Sequence, residues 1–240
     1  MVHVASSTQV KVKEAVNRQG EALRLRDFLG SSAGGGEGPQ AFLVERSNVT
    51  LPHFHRVDQF QVVVSGGGRL GKEPLHPVTV HYTDGFTPYG PIVPGPGGDI
   101  WFFTLRAQAD AGAHYMPESR SKLERKAGRG LTAHVTVRAG QTLYAEGPAA
   151  TEALWSAHAD GLSAFALRAG PGSAATGPDP STGAGQYYVV VHGSMLHAGT
   201  ELPLWSCVFV SPDEPPLRIV GGASGLSVLV LQYPNRQPGR

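Results

Sequence analysis

His53, Phe54 and His55 open the stretch of this chain best equipped for chemistry. In extended backbone, residues two apart project from one face, so the two imidazoles point the same way. After three more residues, Gln59 begins QFQVVVSGG, an apolar run ending in glycines that reads as a strand entering a hairpin. Two imidazoles from one strand and an oxygen donor from the next make one wall of a divalent transition-metal site, for zinc, nickel, iron or manganese. Gln59 brings a neutral amide oxygen in place of a carboxylate. That leaves the metal more electropositive and suited to polarising a carbonyl or acidifying a bound water. The competing reading of Gln59 is a buried strand residue that only makes hydrogen bonds.

The remaining candidates surround this stretch. His81, in PVTVHY, is the next histidine able to add a ligand, with a partly buried strand histidine as the alternative. By strand parity Gln61 shares the face of Gln59 and offers a second amide to a polar substrate. Tyr82, Phe86 and Tyr89, around the GFTPYGP turn, form either an aromatic rim or ordinary core. Arg56 and Asp58 could orient a carboxylate or move a proton, against the simpler reading of an exposed loop pair.

The elements that must position these residues occur twice. QFQVVVSG (residues 59–66) and QYYVVVHG (residues 186–193) align without a gap, an offset of 127 residues (186 less 59). AFLVER (41–46) pairs with AFALRA (164–169), and EALR (21–24) with EALW (152–155). Three segments in the same order indicate two copies of one β unit. Pro180 and Thr182 stand where His53 and His55 would fall, so the second copy lacks the imidazoles. Gln186 is retained without them, which favours the hydrogen-bonding reading of Gln59.

At these positions the chain resembles the cupin superfamily, whose first motif is HxH, three or four residues, a glutamate, six residues and a glycine. His53, His55 and Gly66 match at that spacing, with Gln59 in the glutamate place. The family's second motif, a PxG turn followed by histidine and asparagine, is not reproduced: Phe86 falls near the usual histidine. The resemblance implies an all-β bicupin, two tandem jelly-roll β-barrels. It implies a metal-dependent enzyme acting on a small polar or aromatic metabolite, by lyase, isomerase or dioxygenase chemistry. It equally allows a non-catalytic small-molecule-binding cupin, or a bicupin whose second barrel serves homodimerisation.

Composition fits a many-stranded protein. The 32 glycines and 19 prolines among 240 residues sit between alternating apolar runs, as turns do. A net charge of +1 with 16% charged residues gives no footprint for nucleic acid or an anionic membrane. The lone Cys207 excludes an intrachain disulfide framework. No segment reads as a signal peptide or a membrane span, so a cytoplasmic protein is expected. The expected division is an N-terminal barrel over 1–115 holding the site, a short helical linker over 116–130 opened by Pro117 and closed by Gly128, and a C-terminal barrel over 131–240. PGSAATGPDPSTGAG (171–185) reads as a long polar loop over the mouth of the second unit.

Overall fold

The computed structural model describes all residues except 18, 33–35, 125, 136–148 and 236–240. Strands dominate, as the alternating sequence requires, and the described helices are two single 3₁₀ turns, Arg120–Lys122 and Pro180–Thr182. The chain divides into two units, one spanning 11–136 and the other combining 1–10 with 137–240. No described helix is long and apolar enough to cross a membrane.

The unit spanning 11–136 is built on a seven-stranded antiparallel sheet. Its order from one edge is Gly130–His134, Thr79–Thr83, Gln59–Gly66, Ile100–Arg106, Gln40–Arg46, Ala22–Leu29 and Val12–Val16. A three-stranded sheet (Ile92–Pro94, Gly68–Leu70, Glu73–Leu75) covers one end of its inner face. Leu70, Leu75 and Ile92 from the small sheet pack with Phe42, Val44, Val63, Ile100 and Phe102 from the large one. Period-two alternation and turns rich in glycine produce this sandwich. At the turn, Gly66 has φ 68°, and a Cβ there would lie 2.0 Å from the carbonyl oxygen of Asp99. Only glycine fits such an approach.

The second unit repeats the plan. Its order is Val2–Ala5, Cys207–Val210, Gln186–His197, Arg218–Gln232, Ser163–Ala169 and Ala150–Trp155. Gln186 lies on the strand equivalent to that of Gln59, and Gly193 repeats the strain of Gly66 with φ 66° and the Gly225 carbonyl in the way. The segment repeat read from sequence is therefore a structural repeat. Each sheet is open, however: among the described residues no backbone pairing joins its two edges to close a barrel.

Three boundaries differ from expectation. Gly130–His134 pairs with Thr79–Thr83 and so belongs to the first unit, although the expected second domain began at 131. Val2–Ala5 pairs with Cys207–Val210 and supplies the same edge position in the second unit. Among the described residues of 116–130 the helical content is the single turn Arg120–Lys122. Pairing to an exposed strand edge satisfies backbone groups that a free linker would leave to water. For the same reason the 171–185 segment is ordered: Ala174–Thr176 pairs with Arg218–Gln232, and Asp179 caps the turn at Pro180.

Candidate functional site

His53–Phe54 forms a two-residue strand held on both sides. It pairs with His114–Tyr115, and His53 exchanges backbone hydrogen bonds with Tyr89 at 3.1 and 3.0 Å. The ring of Tyr89 thereby lies 4.6 Å from that of His53, and its hydroxyl accepts from Gln59 Nε2 at 2.7 Å. His53 and His55 do project together: their rings are 5.2 Å apart and nearly perpendicular. His53 Nδ1 sits 2.8 Å from the carbonyl of Leu51, and His55 Nδ1 sits 2.6 Å from Asp110 Oδ2. A carbonyl has no proton to give, so His53 carries its proton on Nδ1 and exposes the Nε2 lone pair.

Arg106 organises the next layer. Its Nε and Nη2 donate to Gln59 Oε1 at 2.9 and 2.7 Å, its Nη1 donates to Gln40 Oε1, and Nη2 lies 3.1 Å from His55 Nδ1 and 3.2 Å from His55 Nε2. Nε2 is the nitrogen left to accept once Nδ1 donates its hydrogen bond to Asp110. Asp110 lies 3.9 Å from the guanidinium and accepts from the backbone of Arg56 and Gly112. Both charged residues are 97% and 94% buried, at 3% and 6% exposure. Sequence reading missed this pair. Strand alternation through Phe102, Thr104 and Arg106 was the available signal, since Arg106 falls on the face of Gln59.

Burial shapes the titration of the cluster. It pushes His53 down to about 3, with His55, Arg106 and Arg46 adding to the effect. His81 is pushed down to about 4 by burial. Burial also lowers His55, against the opposing pull of Asp110. Burial alone would raise Asp110, but the hydrogen bond from His55 and the charge of Arg106 hold it at about 2. The imidazoles are neutral at pH 7 and the carboxylate is ionised.

The other candidates divide by face. Gln61 pairs with His81, and Gln59 with Thr83, so all four share the inner face. His81 is clasped by two threonines, Nδ1 to Thr132 at 3.0 Å and Nε2 to Thr83 at 2.7 Å. Tyr82 lies on the opposite face, 4.9 Å from Phe60, with its hydroxyl donating to Asp84. Phe86 packs on Phe54 and under Lys126. Of the three aromatics read as either rim or core, Tyr89 lies beside His53, whereas residue parity turns Tyr82 into the packing on the other face of the strand and Phe86 packs on Phe54. Asp58 accepts from the backbone N–H of Gly85 at 2.8 Å and fixes that turn.

These residues fit a metal in part. His53 and His55 have the Nδ1 contacts, a carbonyl and a carboxylate, that orient metal-binding imidazoles. Gln59 turns its carbonyl to Arg106 and its amide nitrogen to Tyr89, and His81 has both nitrogens at threonine hydroxyls. Among the described residues no group of three or more histidine, cysteine, aspartate or glutamate side chains could hold a metal ion.

No family model matches this chain, and no curated protein matches it in sequence. Solved structures do match in shape. A candidate dioxygenase from Nostoc punctiforme superposes with a TM-score of 0.67 at 10% identity, over 99% of this chain and 85% of that one. The bacterial pirin of Escherichia coli, in complex with nickel(II), gives 0.60 at 10% identity, over 98% and 100%. A cupin 2 conserved barrel domain protein from Leptotrichia buccalis gives 0.51 at 9% identity, over 95% and 99%. The chain has the bicupin fold. The two cupin units differ sharply in what they turn inward.

Within the bicupin, strand register equates the copies residue by residue. Gln61, His81, Thr83, Thr104 and Arg106 of the first unit correspond to Tyr188, Val208, Val210, Val230 and Gln232 of the second. Tyr188, Val208, Val210 and Val230 all belong to the second unit's hydrophobic core. Only the glutamine is kept: Gln186 donates to Gln232 Oε1 at 2.6 Å and accepts from Tyr188 at 2.9 Å. Thr182, the offset equivalent of His55, accepts from Gln232 at 2.7 Å, much as His55 abuts Arg106.

Proposed function

We propose that the working site of this bicupin is the polar half of the first unit's inner face, and that it acts on a small polar or aromatic metabolite. The observation that carries this is the contrast between the copies. Buried polar groups cost stability unless something compensates them. The second unit shows that the same sheet packs with valine and tyrosine at those positions. The first unit keeps glutamine, histidine and threonine there, the pattern expected where function opposes packing.

The chemistry best supported is proton transfer by His55. Its Nδ1 is oriented by Asp110, which also stabilises the imidazolium formed when Nε2 takes a proton in exchange for its 3.2 Å contact with Arg106 Nη2. Arg106 sets the position of Gln59 and His55, and Tyr89 closes the side next to His53. Such a base suits lyase or isomerase reactions on a carbonyl compound. A screen of small carbonyl metabolites by proton–deuterium exchange tests it. Exchange that is lost in His55→Gln and kept in His158→Gln of the second unit supports the assignment, and equal exchange in both variants overturns it.

A second reading adds a divalent metal on Nε2 of His53 and His55, favoured by the oriented Nδ1 atoms, with the metal taking the place of the Arg106 contact at His55 Nε2. When bound there it would supply Lewis-acid or redox chemistry. Elemental analysis of protein purified without metal-affinity resin, before and after loading with zinc, nickel, iron or manganese, tests it. About one ion per chain, lost in the His53→Ala, His55→Ala double variant, supports this reading, and no uptake after loading removes it.

A further inference from the structure

Gln61 and Thr104 face each other across two paired strands at the boundary between the polar and apolar halves of the inner face. On one side lie Gln59 and Arg106, and on the other Val63 and Phe102, with Phe42 opposite Thr104. Gln61 is 6% exposed and Thr104 3%. Among the described residues, neither the Gln61 amide nor the Thr104 hydroxyl has a hydrogen-bond partner, unlike Gln59, Arg106, His81 and Thr83 around them. Among the described residues, the side-chain atoms that are fully buried without a hydrogen bond do not include these, so the polar atoms of Gln61 and Thr104 keep access to water, and two such neighbours at one interior spot can be reached by a ligand. Their second-unit equivalents, Tyr188 and Val230, are a partnered hydroxyl and a valine.

The geometry points to Gln61 and Thr104 as the specificity-determining contacts for an uncharged ligand with an apolar body and a head that both donates and accepts hydrogen bonds, of the carboxamide type. This rests on reading the first unit's inner face as the working site. The amide of Gln61 supplies one donor group and one acceptor, and the hydroxyl of Thr104 supplies both. Phe42, Val63 and Phe102 border the pair on its apolar side, at the edge of the core they form with Leu70, Leu75 and Ile92, and the apolar body lies toward that edge. Charge selects against ions. Arg106 is engaged by Gln59, Gln40 and His55, and Asp110 by His55 and two backbone N–H groups. Arg46, the other buried cation near His53, is turned to Asn48, Val49 and Thr50. An anion or a cation entering here would lose its hydration without gaining an opposite charge.

Benzamide, benzoate and benzylammonium serve as matched neutral, anionic and cationic probes. Their binding is followed by the imidazole NMR signals of His53 and His55, and the melting temperature of each ligand-free variant is recorded. The expected result is that benzamide binds at least tenfold more tightly than either ion. Gln61→Met and Thr104→Val should each weaken benzamide tenfold or more while holding the melting temperature, because neither side chain has a protein partner to be stranded. A structural role would lower the melting temperature instead. Benzoate binding as tightly as benzamide, or benzamide affinity unchanged in both variants, overturns this inference and leaves the site assignment standing. Failure of every probe to move the His53 and His55 signals overturns the site assignment together with the inference.

Discussion

Arg106 grips Gln59 through two donors on one carbonyl oxygen, at 2.9 and 2.7 Å, inside the first unit. The equivalent pair in the second unit is Gln232 with Gln186, joined by a 2.6 Å hydrogen bond. The cross-strand pair is thus common to both copies, and the charge is particular to the first. That charge requires the acceptors gathered around it, namely Gln40, Gln59, His55 and Asp110.

Removing the charge should be costly. Arg106→Met strands Asp110 and two glutamine carbonyls in a buried setting, and breaking a buried ionic network costs about 3–5 kcal/mol. Arg106→Lys should recover little, since an ammonium cannot reproduce the forked contacts to Gln59 and Gln40. Urea unfolding midpoints of the two variants check this.

Gln59→Ala separates the two roles considered for that residue. Its amide joins Arg106 to Tyr89, so truncation should cost about 1–3 kcal/mol by leaving buried partners unpaired. Metal content, measured on the same preparation, should match wild type, because the carbonyl is held by Arg106.

Acid should destabilise the protein in a defined window. His53 and His81 titrate near 3 and 4 in the folded chain, against 6.5 when unperturbed. Between those values the unfolded chain binds protons that the folded chain refuses. Stability is therefore full above about pH 6.5 and falls as pH drops toward 4 and then 3, by up to about 1.4 kcal/mol per pH unit for each histidine. Asp110, lowered from 3.8 to about 2, extends the loss below pH 4 with the same sign. Denaturant midpoints from pH 7 to pH 3 measure the slope, and His81→Gln should flatten it.

Gly66→Ala tests the turn that starts the covering sheet. Its φ of 68° and the Asp99 carbonyl 2.0 Å from a built Cβ both oppose a side chain. The expected loss exceeds about 1 kcal/mol. Gly193→Ala should behave alike in the second unit, where the Gly225 carbonyl occupies the same place.

Much of this was legible in the sequence. Alternation of apolar residues dictated strands, and the QFQVVVSG and QYYVVVHG segments dictated a repeated unit whose register the structure reproduces, because local pattern and strand pairing share a period of two. The same period put His53 beside His55 and placed Gln61 with Gln59. Tertiary structure decided what no local pattern encodes. Asp110 reaches His55 across 55 residues, Arg106 reaches Gln40 across 66, and Val2–Ala5 completes a sheet whose other strands begin at Ala150. Such partners are chosen by chain crossing and burial. A cation excluded from water binds whichever acceptors the fold brings within reach, wherever they lie in the sequence.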